Sequence, residues 1–78
     1  MPHFYFDIHD TGVATDDEGS ELPDLVPAIR EAIKSLPAIA AEDISSSRDD
    51  RRHFTIVVRD EKRAPVYTAA LSFCGTRL

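Results

Sequence analysis

Seventy-eight residues make one domain, numbered 1–78, and a chain so short buries only about 60% of its unfolded surface, so its stability margin is thin and a second copy would help. Its 42% apolar and 29% charged content exclude a disordered chain, and its net charge of −5 opposes binding to a nucleic acid. That charge is uneven: residues 1–29 hold seven acidic groups and no Lys or Arg, while residues 30–78 hold all nine basic groups against seven acidic ones, so the two parts can attract each other within or between chains.

In chain order, His3 to Asp10 alternate, with Phe4, Phe6 and Ile8 on one face and His3, Tyr5, Asp7 and His9 on the other, as a half-buried strand requires. Asp10, Thr11 and Gly12 form a turn, and Val13 to Thr15 return as a short second strand. Asp16, Asp17, Glu18 and Gly19 then make an acidic turn leading to a helix.

Asp24 is the expected N-cap, and Pro27 falls in the first turn, where a missing N–H costs nothing. Leu25, Ile29, Ala32, Ile33, Leu36, Ile39 and Ala40 form one apolar stripe, with Leu22, Val26 and Ile44 at its margin. Arg30, Glu31, Lys34, Ser35, Ala38 and Glu42 lie opposite. Pro37 predicts a kink or a break, and Asp43, centred in the stripe, predicts an end by about Glu42.

Ser45 to Arg52 reads as a polar loop. A third strand follows with Phe54, Ile56 and Val58 inward and His53, Thr55, Val57 and Arg59 outward. Asp60 to Pro65 makes a hairpin connection into a fourth strand, Val66 to Phe73, with Tyr67, Ala69, Leu71 and Phe73 on one face. The order β-β-α-β-β predicts an α+β domain, one amphipathic helix on a four-stranded, mainly antiparallel sheet. A β-grasp order, with the last strand parallel beside the first, stays open at this point.

The single Cys74 has no intramolecular partner, which suits a reducing cytoplasm, and no leader or membrane-spanning run is legible. His3, Asp7 and His9, with His53 on a neighbouring strand, offer ligand types that zinc accepts, but no HxH, HExxH or CxxC spacing is present. The acidic turn fails as an EF-hand, because the sixth position from Asp16 is Glu21 where Gly is needed. Arg48, Arg51, Arg52 and Arg59 are the best basic patch, offset by Asp49 and Asp50. The terminal Thr76, Arg77 and Leu78 match the motif that PDZ grooves accept. No Gly-x-Ser-x-Gly, P-loop or dinucleotide fingerprint is present, so no catalytic, cofactor-binding or metal residues are assigned and no enzyme is expected.

The start MPHFYFDIHD, then DDEGSELPDL opening an Ala-rich helix, then FTIVVRDE and a closing hairpin resemble a family of short, uncharacterised bacterial proteins, common in alphaproteobacteria, built on a domain of unknown function. The resemblance covers nearly the whole chain and supplies no site residues; Pro37 departs from a helix that is uninterrupted in these relatives. About the first 35 residues are also similar to HicB-type antitoxins, through the aromatic strand, the acidic Gly turn and Pro-Asp-Leu, although the Pro-Gly that follows in that family is replaced by Val26 and Pro27. The expectation is a small cytoplasmic, non-enzymatic interaction or regulatory module with a protein partner or a second copy of itself (homodimer), the alternatives being metal or ligand binding on the exposed sheet face and an antitoxin-like regulator.

Overall fold

The computed structural model describes residues 1–78. Its elements are β1 (His3–His9), β2 (Val13–Ala14), β3 (Ser20–Glu21), α1 (Leu25–Ser46), β4 (Arg51–Arg59) and β5 (Pro65–Cys74). The sheet order is β2-β1-β4-β5, with β3 also paired to β1, and every pairing is antiparallel. The two hairpins thus sit side by side and the β-grasp order does not occur, because β5 borders β4 alone.

Alternation sets the register. Phe6 stands opposite Val58 and Ile8 opposite Ile56, and β4 in turn sets Phe54 against Leu71, Ile56 against Ala69 and Val58 against Tyr67. Phe54, Ile56 and Val58 are fully buried beneath α1. The helix presents Ala28, Ala32, Leu36 and Ala40 to the sheet, a row at i, i+4 spacing that includes Ala28, which lies outside the expected stripe. Ile29 is only half-buried and Ile33 is exposed, because the three Ala methyls let the backbone approach the sheet closely and leave the bulkier neighbours on the flank.

The helix is longer than its sequence predicts. It runs unbroken through Pro37 and past Glu42 to Ser46. Pro37 lies on the solvent side, where water can take the Ile33 carbonyl that the proline leaves free. Asp43 does not end it, since its carboxylate meets the Arg52 guanidinium at 3.6 Å. The N-terminus is as expected: the Asp24 carboxylate accepts the Val26 N–H at 2.9 Å. At the other end the Ser45 and Ser46 hydroxyls both donate to the Glu42 carbonyl at 3.0 Å. The expected polar loop from Ser45 to Arg52 therefore shrinks, Ser45 and Ser46 joining the helix and Arg51 and Arg52 joining β4.

Only nine of 78 residues are buried, as a body 50 × 21 × 17 Å requires, since few positions in so narrow a shape have neighbours on every side. No helix is long and apolar enough to cross a membrane.

Candidate functional site

On the sheet face away from α1, Asp7 is the one buried charged residue. Arg59, brought alongside by the antiparallel pairing of β1 and β4, clamps it bidentately: Nε donates to one carboxylate oxygen at 2.8 Å and Nη2 to the other at 3.0 Å. The Asp16 N–H donates to the same carboxylate at 2.9 Å, and Arg59 also donates to the Asp16 carbonyl at 3.0 Å. Burial on its own raises the Asp7 carboxyl, but the Arg59 and Asp16 hydrogen bonds and the nearby positive charge outweigh it and hold the group below its ordinary 3.8. The Arg59 guanidinium is raised in return, first by its hydrogen bond to Asp7. Arg59 and Arg63 both lie over the Tyr5 ring, 5.1 and 4.8 Å from its centroid.

Asp16 turns the acidic segment into part of the sheet. β2 and β3 pair with opposite ends of the same β1 edge, and between them the Asp16 carboxylate accepts the Phe6 N–H at 3.1 Å, in place of a strand carbonyl. It also accepts the Glu18 and Gly19 N–H groups at 3.1 and 3.0 Å. Burial alone raises this carboxyl, yet the three backbone donors lower it below 3.8. Gly19 has φ of +72° and packs on Tyr5, where a Cβ would come within 2.9 Å of the ring.

These contacts decide what the candidate residues face. Asp7 is held by a guanidinium, and nowhere do three His, Cys, Asp or Glu side chains stand close enough to share a metal ion. His3 keeps beside Tyr5, at 6.5 Å between rings, and His9 is opposite Thr55. His53 makes a separate pair on β4, its Nδ1 2.7 Å from the Ser72 hydroxyl and its Nε2 3.3 Å from that of Thr55. The basic patch is divided: Arg52 bridges Asp43 and Asp10 and covers the Phe54 ring, whereas Arg59 serves Asp7. The surface concavity at Asp50, Gly75, Thr76 and Arg77 has no apolar lining residue.

β5 is the one long strand that ends the sheet order, the other terminal strand, β2, being only two residues. Its ten residues, PVYTAALSFC, carry no charge, and one of its edges pairs with β4 while the other pairs with nothing. Leu71 and Phe73, on its helix side, are each 37% exposed, and Val66 is 38% exposed. The sequence showed this strand's alternation but not its edge position, which depends on strand order.

A family model covers residues 3–72, nearly all of this architecture. The chain belongs to the DUF6894 family, described as a domain of unknown function. For this DUF6894 chain, neither a curated protein nor a solved structure gives a match. The ion pair, the carboxylate in the β1 ladder and the free β5 edge all lie on elements within the DUF6894 region, apart from the last two residues of β5.

Proposed function

We propose that this chain is a non-enzymatic protein–protein interaction or regulatory module of the cytoplasm, with the free edge of β5 as its docking surface. The observation that carries the reading is an uncharged ten-residue strand with one bare edge. Such an edge is a row of unpaired N–H and C=O groups, which native proteins usually blunt with charges, proline or a bulge. Here Pro65 and the irregularity at Val58/Arg59 protect one end only. An extended segment that adds to the edge gains main-chain hydrogen bonds, and the exposed Val66, Leu71 and Phe73 supply apolar contact on the two faces.

A photoreactive residue at Thr68, on this edge, tests the reading against the same residue at Glu31, on the exposed side of α1. Adducts are expected from Thr68 alone in living cells. Equal labelling from both sites, or none from Thr68, would count against the edge as a docking surface. The metal-binding alternative gains nothing from Asp7 in its Arg59 clamp, and the antitoxin-like alternative stands only on likeness in the first 35 residues.

A further inference from the structure

The geometry points to the occupant of the β5 edge: a second copy of this chain, paired antiparallel through its own β5 about a two-fold axis at Leu71. The inference rests on the interaction reading above and names its partner.

Along a strand, alternate residues direct their main-chain groups to the same edge. The Phe6 N–H goes to Asp16, on the β2 and β3 side, so Asp7 directs its groups toward Val57 of β4. Carrying the alternation across, Val57 serves β1 and Ile56 serves Ala69 of β5. Thr68, Ala70, Ser72 and Cys74 are then the residues whose N–H and C=O groups point outward. Leu71 is the midpoint of that set. A two-fold axis there pairs Thr68 with the second copy's Cys74 and Ala70 with its Ser72, so no outward group is wasted and roughly eight interchain hydrogen bonds form. Leu71 then faces its own symmetry mate across a non-hydrogen-bonded pair, about 4.5 Å between Cα atoms. No like charges meet, because β5 contains none.

The helix gives a second reason for a copy of this chain over a lone strand. Seen from the helix side with β1 running upward, an L-residue facing the viewer directs its N–H to the right, so Phe6 places β3 on the right and β5 on the left. α1 starts beside the beginning of β1, where the Leu22 N–H donates to the Pro2 carbonyl, and ends at the beginning of β4, so it climbs in the direction of β1 and β5. In a right-handed helix climbing that way, a residue following a sheet-facing one turns left by about 100°, toward the free edge. Ile29 and Ile33 follow the buried Ala28 and Ala32. Ile33, 54% exposed, and the half-buried Ile29 thus lean over the same seam as Leu71 and Phe73. Only a partner that brings its own helix covers both layers. A seam as long as the strand, ~33 Å, and 17 to 21 Å deep projects to on the order of 600 Å² per copy, where specific dimers begin.

The test combines light scattering with a cross-link. The wild-type chain is expected to show twice its monomer mass, and Ala70→Pro, which removes an outward donor and no β4 bond, is expected to be monomeric with an unchanged circular dichroism spectrum. In a Cys74→Ser background, Leu71→Cys is expected to oxidise to a disulfide-linked dimer, the Cα separation being within disulfide reach. A wild-type chain that stays monomeric at every concentration, or a dimer that forms no disulfide at position 71, would overturn the pairing, and the second measurement decides even if Ala70→Pro misfolds. A monomer whose Thr68 probe still labels another protein would sink the second copy and leave the docking edge standing.

Discussion

The outer sides of the two long strands β1 and β5 are built in opposite ways. The outer edge of β1 is sealed along its length by β2, then by the Asp16 carboxylate, then by β3, so that a side chain stands in for a missing stretch of strand. The outer edge of β5 has no such cover. The difference shows that the acidic segment, with seven carboxylates before the first basic residue, has structural work within the chain: Asp7 and Asp16 tie the first hairpin to Arg59, and Asp10 stands near Arg52. What these contacts leave uncovered is the outer edge of the uncharged strand β5.

Opening the sealed edge should have the largest effect. Asp16→Ala removes one acceptor from the three backbone N–H groups of Phe6, Glu18 and Gly19 and is expected to lower stability by about 1–3 kcal/mol, read by urea unfolding. Hydrogen exchange should speed at the Phe6 amide and stay unchanged at Ala70; equal effects at both would erase the contrast between the edges. Next comes Gly19→Ala, expected to cost about 1–2 kcal/mol because its positive φ disfavours a Cβ that would also press on Tyr5. Gly12→Ala is the matched control, since nothing lies within 4 Å of that position, and a loss there as large as at Gly19 would refute the packing account.

The smallest effect is that of pH near neutrality. Asp7 and Asp16 both have folded-state pKa values below the ordinary 3.8, so their contribution is fully present above the unfolded value and is lost as pH falls through it toward the folded values. Thermal melting should therefore be insensitive to these two groups from pH 7 to about 5 and decline below about 4. In Asp7→Asn the decline should be shallower. An identical acid profile in that variant would remove the ion pair from the explanation.

Much of the fold was legible because its signals are local. The alternation of Phe4, Phe6 and Ile8, of Phe54, Ile56 and Val58, and of Tyr67 to Phe73 needs no knowledge of the partner strand, and neither does the Asp24 cap. The parts that were hidden depend on distant residues. Asp43 reads as a helix stop until Arg52 is known to stand beside it, and Asp16 reads as a solvated turn until β1 presents the Phe6 N–H. Asp7 and Arg59 were each assignable to the outward side of a strand, but 52 positions separate them, and only the β1–β4 register makes them neighbours. The free edge was hidden for the same reason, since strand order decides which strand is last.

The alanine row under α1 gives the interior a lopsided tolerance. Ala28, Ala32 and Ala40 are as deeply enclosed as Phe54 and Val58, yet they occupy almost no volume; the space between the layers is filled from below. Growth is therefore forbidden on the helix side, where one added methylene group would prise the layers apart, and shrinkage is forbidden on the strand side, where nothing above can move in to compensate. Apolar bulk on the helix is carried instead on its flank, at the half-buried Ile29 and the exposed Ile33.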